Sequence, residues 1–276
     1  MPLVSIVFPV RAIEGAALRA VASLRNQTHE NWELLIVSDD DRSCRRELAR
    51  RGCDDGRIRF IASPFPDAGP NVARNTGLHQ ARGEFVALMD ANDRYHPERL
   101  ASLVPLASDH GMAADNVNIV EIDSGRCLRT VLPLEPTIVV LDLERFLCID
   151  DPLSFVFHHS VLRHQWDEDV VLQDDSLFML RALERAGEAV VLTEPLHDHF
   201  IAREGISARL TRQRRAEIAY TYCLHKLEIN GLGFWTESFR QAAGNMLFHK
   251  RALSRAYTEA ISGRPAGYLS WRDEGD

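Results

Sequence analysis

The chain has 276 residues, of which 45% are hydrophobic and 26% charged, and a formal net charge of −8. That is the make-up of an ordinary globular protein, long enough for one large domain or a domain with an appendage. No apolar run reaches the roughly 20 residues that span a bilayer, and no leader-like segment precedes a strand that begins at Leu3. A cytoplasmic protein is therefore expected. Five scattered cysteines without a C-x-x-C pair exclude a zinc ribbon and a disulfide framework. Residues 203–276 carry 12 Lys and Arg against 8 Asp and Glu, and the remainder carries 20 against 32. An acidic body of this kind is a poor nucleic-acid surface. Its basic tail suits anionic lipid at the inner face of a membrane, or a plain solvated helical face.

In chain order, Leu3–Phe8 reads as a buried strand closed by Pro9. Ala17, Leu18, Val21 and Leu24 follow at helical spacing. Glu33–Ser38 is a second strand running into Asp39, Asp40 and Asp41. A short polar helix over 44–51 leads to a third strand at Ile58–Ala62. A helix over 71–81, a strand at Glu84–Met89 and a helix over 97–107 complete the first half. Such alternation predicts parallel βαβ units. Beyond residue 112, short runs at Val117–Ile122, Cys127–Leu132 and Thr137–Leu141 have little helix between them, which predicts a mixed edge. A helix at Ser176–Ala186 ends at Gly187, and Glu188–Leu192 is a further strand. From about Ser207 the chain reads as two long helices broken near Asn230–Gly233. The expected division is 1–207 for the α/β domain and 208–276 for a helical C-terminal extension.

Three acidic groups are candidates for chemistry. Asp39–Asp41 follows the second strand, where Asp serves either as a helix cap or as an acceptor for a nucleobase imide N–H. Asp90, Asn92 and Asp93 follow a buried strand. Ligands of open α/β sheets bind off the carboxyl ends of strands, and hard cations such as Mn²⁺ or Mg²⁺ take oxygen ligands there. Asp93 alone is equally well explained as a turn residue. Asp174 and Asp175 open a helix, where the dipole favours a fixed carboxylate, either a cap or a general base. His197 and His199, two apart, face the same way on a strand and can share one site. The alternative is a pair of partly buried histidines on an edge strand. P-loop, dinucleotide-binding and nucleophile-elbow motifs are all missing from the sequence.

With these blocks in order the sequence resembles family 2 glycosyltransferases of the GT-A fold. VSIVFPV with ASLRNQTHENWELLIVSDD resembles the family's first β-α-β unit, and GPNVARNTGLHQARGEFVALMDANDRYHPERL its middle block. DEDVVLQDDSLFMLRALERAG resembles the block with the catalytic base. PLHDHFIAREGISAR, which holds His197, His199 and Arg203, resembles the segment that closes over the donor. The resemblance covers about residues 3–210. It implies transfer of a sugar, with inversion, from a nucleotide-sugar to a hydroxyl of a saccharide or lipid-linked acceptor. It also implies a mostly parallel sheet flanked by helices, and a Mn²⁺ or Mg²⁺ cofactor. By position, Pro9 and Asp39 would meet the base, with Asp39 accepting from a uracil imide, and Arg74 would sit near the nucleotide. Asp90 and Asn92 would occupy the first and third places of a D-x-D metal motif, and Asp175 would be the base. Three places depart from the family pattern: Asn92 stands for the usual Asp, Arg11 and Ala12 follow the first Pro, and Ser38 replaces an Asp. These departures leave a catalytically impaired nucleotide-sugar-binding or scaffold protein as the alternative. A nucleotidyltransferase is disfavoured by the lack of a Gly-rich basic motif after the first strand.

Overall fold

A computed structural model describes residues 1–38, 41–65, 67–149, 153–163, 165–170, 174–202 and 206–262. Two compact units divide the chain, one built from residues 1–169 and 174–202, the other from 170–173 and 203 onward. The first unit opens with β1 (Val4–Pro9), α1 (Gly15–Arg25), β2 (Trp32–Ser38), α2 (Asp41–Arg50), β3 (Ile58–Ala62), α3 (Pro70–Gln80) and β4 (Phe85–Leu88). There follow β5 (Asp93–Tyr95), α4 (Arg99–His110), β6 (Met112–Glu121), β7 (Cys127–Thr130), β8 (Ile138–Leu141) and α5 (Leu143–Leu147). The unit closes with β9 (Phe155–His158), α6 (Asp174–Ala186) and β10 (Ala189–Ile201).

The strands form one sheet in the order β3-β2-β1-β4-β9-β6-β10-β5, with β7 on β6 and β8 on β10. The β3-β2-β1-β4 half is parallel. Its strands are near-continuous apolar runs, as strands covered on both faces must be. Val4, Ile6 and Phe8 of β1 pack on one face with α1, α2 and α4, while Val7, Leu35 and Val86 pack on the other with Leu78 of α3. Helix α3 lies very close to the sheet: a Cβ on Gly77 would overlap Cγ1 of Val7. Antiparallel pairing is not confined to an edge. Strand β9 runs antiparallel to both β4 and β6 in mid-sheet, and β5 runs antiparallel to β10. β5, β9 and α5 have no counterpart in the sequence-based expectation, because runs of three to five residues are too short to show a period. Conversely, β6 starts five residues earlier than expected and β10 runs on through Ile201.

A fully buried ion pair fastens the middle of this unit. Arg99 Nε of α4 donates to Asp115 Oδ1 of β6 at 2.9 Å, and neither side chain is exposed. Asp115 Oδ2 accepts the Leu196 backbone N–H of β10. Arg99 also donates to the Ser154 carbonyl and lies over the Tyr95 ring. In the second unit, α7 (Ile206–Asn230) and α8 (Glu237–Ser262) form a hairpin. Its break falls at Gly231–Gly233, where the Asn230 side chain caps the turn. Cys223, Leu227, Ala243 and Leu247 are buried.

Candidate active site

Strand β4 ends two residues before Asp90, so the sheet delivers the Asp90–Asp93 turn to its carboxyl edge. Asp93 closes that turn: its Oδ2 accepts the Asp90 backbone N–H at 2.7 Å. Its other oxygen faces β10. Register places His199 opposite Asp93 and His197 opposite Tyr95. His199 Nδ1 bonds Asp93 Oδ1 at 2.9 Å, and His197 Nε2 lies 3.0 Å from the same oxygen. Strand alternation sends Asp198 to the opposite face, where Arg94, His96 and Asn118 surround it.

Asp93, His197 and His199 thus bring three ligating atoms within 4.8 Å of one another. His197 is buried, and apart from the approach of its Nε2 to Asp93 its ring nitrogens have no hydrogen-bond partner among the described residues. A buried imidazole facing a carboxylate, with a second histidine beside it, is a fit for a cation. Burial works to raise the Asp93 carboxyl. The electrostatic pull of His197 and the hydrogen bonds around it outweigh burial and hold it far below the usual range. The bond to Asp93 raises His199 above the ordinary histidine value, against its burial.

The second group gathers around Arg74. Helix α3 is polar on the side facing the acidic edge, with Asn71, Arg74 and Asn75 all buried. Arg74 Nη2 is 3.5 Å from Asp90 Oδ1, and its Nη1 is 3.3 Å from Asp175 Oδ1. One guanidinium therefore faces both the strand-end carboxylate and the first turn of α6. Asn75 takes the backbone N–H of Trp166 at 2.8 Å and donates to its carbonyl at 3.0 Å. Asn71 donates to the Asp167 carbonyl, and Arg181 of α6 pairs with the Asp167 carboxylate at 2.8 Å. The strap 165–169 is thus sewn between α3 and α6. Trp166 on it stacks on Phe178 with centroids 3.4 Å apart, and its Nε1 donates to Asp175 Oδ1 at 3.2 Å.

Arg74, Asp90 and Asp175 come together, as do Asp93, His197 and His199. Pro9 ends β1 at the same edge as the Asp90 turn, since Val7 pairs with Leu88. The Asn92 side chain is exposed, and its backbone carbonyl accepts the Phe200 N–H. Asp39, Arg203 and the Asp174 side chain lie outside the described residues. β10 is flanked by β6 on one side and by β5 and β8 on the other, so the two histidines are not on an edge strand. The sequence missed Trp166, Asn71 and Asn75 as site residues. The only signal for the last two was three polar residues inside a helix that packs on an apolar sheet.

The family model described as Glycosyl transferase family 2 matches residues 5–177. The chain belongs to that family. Among curated proteins it is 29% identical over 226 residues to the succinoglycan biosynthesis protein ExoO of Rhizobium meliloti, covering 75% of this chain and 63% of that one. The chain thus spans less than two thirds of that relative's length. It is 36% identical over 98 residues to the E. coli UDP-Glc:alpha-D-GlcNAc-diphosphoundecaprenol beta-1,3-glucosyltransferase WfgD, over 36% of this chain and 38% of that one. Among solved structures, residues 1–349 of S. aureus TarS in complex with UDP-GlcNAc superpose with a TM-score of 0.68 at 18% identity, covering 96% of this chain and 77% of that one. At that identity the match shows the fold, which is the GT-A α/β fold with C-terminal helices.

Proposed function

We propose that this family 2 member is an inverting glycosyltransferase that moves a sugar from a UDP-sugar to a hydroxyl acceptor in cell-surface polysaccharide or glycolipid assembly. One observation carries the reading: a buried guanidinium, Arg74, holds a strand-end carboxylate, Asp90, and a helix-start carboxylate, Asp175, in one site. An inverting transfer needs two such poles. Asp175 takes the proton of the acceptor hydroxyl as its oxygen bonds the anomeric carbon from one face. The bond from that carbon to the diphosphate breaks on the other face, and UDP leaves. Asp90 and Asn92, together with Asp93, His197 and His199, are the residues that would hold Mn²⁺ or Mg²⁺. Bound there, such a cation would neutralise charge on the leaving diphosphate. The names of ExoO and WfgD support polysaccharide or lipid-linked acceptors, and the TarS complex supports a UDP-sugar.

A panel of UDP-Glc, UDP-GlcNAc, UDP-Gal and GDP-Man, scored by nucleotide release with and without Mn²⁺, tests the reading. Release from a UDP-sugar is expected, and Asp175→Asn should cut it by roughly 10²–10⁴-fold while UDP binding persists. Parental release by a folded Asp175→Asn protein would remove the base assignment. The second reading, a binding protein without catalysis, is favoured by the uncharged, exposed Asn92. UDP binding without release from any donor would establish it.

A further inference from the structure

We infer that Trp166 is a positioning residue for Asp175, an inference that rests on the base assignment above. Two donors converge on the same oxygen, Oδ1 of Asp175: the Trp166 indole N–H at 3.2 Å and Arg74 Nη1 at 3.3 Å. A carboxylate held at one oxygen from two directions cannot turn freely about its terminal bond. Its orientation is then set before an acceptor arrives, which is the preorganisation that proton transfer requires.

The anchor is itself rigid. Trp166 is only 2% exposed, and its ring lies flat on Phe178, three residues along the same helix as Asp175. Its backbone is gripped on both sides by Asn75. The indole, the base and the ring beneath them therefore move as one body with α6. This gives the polar face of α3 a purpose: Asn71 and Asn75 hold the strap that carries the indole, and Arg74 supplies the second donor. A tryptophan buried only for packing has no need to send its one polar atom to the candidate base.

Two measurements test this. Trp166→Phe keeps a ring over Phe178 and removes only the N–H. With the donor selected by the release panel and water as acceptor, kcat for UDP release should fall roughly 10- to 100-fold, the scale of a misplaced reacting group. KM for the donor and the melting temperature should stay near parental values. Independently of any donor, ¹⁵N-tryptophan labelling gives one indole resonance for each of four tryptophans. The one lost in Trp166→Phe should shift, and exchange faster with solvent, in Asp175→Ala. Parental kcat in Trp166→Phe with Asp175→Asn inactive would overturn the positioning role alone. Parental kcat in both variants would overturn the base assignment beneath it. An unmoved indole resonance, or a fall in kcat matched by a rise in KM and a loss of stability, would leave Trp166 as core packing and overturn the inference.

Discussion

Asp93 closes the turn after β4 with one oxygen and meets two histidines with the other. The first task follows from a four-residue turn and is legible in the sequence. The second depends on β5 pairing with β10, elements about a hundred residues apart, so no local pattern shows it. This sets a pH dependence. A histidine ligates only as the neutral ring. His199 is raised above its ordinary value of about 6.5 by its bond to Asp93, so its proton competes with a cation through the neutral range. Mn²⁺ affinity in the presence of UDP should therefore climb between about pH 6 and pH 8 and then level off. His199→Ala should flatten that slope and lower the plateau, and His197→Ala should lower it by at least roughly 10-fold. Mn²⁺ titrations followed by electron paramagnetic resonance would show both. A pH-independent affinity, unchanged in the two variants, would move the cation to Asp90 and Asn92 alone. That Arg74, Asp90 and Asp175 would share one site was an expectation of the resemblance, because each lies inside a block whose order along the chain is itself informative, and the three side chains do come together. Trp166 was not expected there: it reaches Asp175 only through a strap whose course Asn75 fixes.

At the scale of elements, α3 is the piece whose composition and position conflict until the structure resolves them. A helix over a parallel sheet ordinarily presents an apolar face. α3 presents Val72, Ala73 and Leu78 but also buries Asn71, Arg74 and Asn75, whose polar atoms are spent on the 165–169 strap and the acidic edge. Close packing replaces bulk. Gly77 lets the helix settle onto Val7 and Val37, and any side chain there meets a stiff β-branched residue of the sheet. Gly77→Ala should cost about 1–3 kcal/mol, the usual penalty for overpacking. Thermal unfolding of the single variant and of Gly77→Ala/Val7→Ala would check it, since the double change reopens the space. A single variant as stable as the parent would mean that α3 stands off the sheet. The helix-and-strand alternation of the first half was readable because each run there is long enough to show its period. Strand β9 was not, since Phe155–His158 offers only three apolar residues, with the same look as a buried loop.

On the scale of the whole molecule, the two units call for different kinds of stability. The α/β unit is closed by the buried Arg99–Asp115 pair, which links α4 and β6 and, through the Leu196 N–H, β10. Removing one partner strands a charge in the core, so Asp115→Ala should cost about 3–5 kcal/mol by chemical denaturation, whereas a surface pair would cost little. A loss under about 1 kcal/mol would mean that the site admits water. The helical hairpin has no such clasp among the described residues, and its outward features differ. Along α7, Arg214, Ile218, Tyr222, His225 and Ile229 recur at helical spacing and are all exposed, Ile218 by 72% and Ile229 by 69%. No described helix is long and apolar enough to cross a membrane. A face mixing arginine with isolated aliphatic and aromatic side chains is suited to a lipid headgroup layer, where basic groups would meet anionic lipid and apolar ones would enter below, and this is open to test. Each basic residue near such a surface contributes about 1 kcal/mol, an attraction that salt screens over roughly 10 Å at 0.1 M. Co-sedimentation with vesicles should therefore rise with the fraction of anionic lipid and fall as salt is added. Arg214→Glu/Arg215→Glu should weaken binding at low salt. Ile218→Ser/Ile229→Ser should remove the part that survives at high salt, because burial of apolar surface is not screened. Equal sedimentation on neutral and anionic vesicles would remove the arginines from the contact, and none at low salt would leave the α7 face to water.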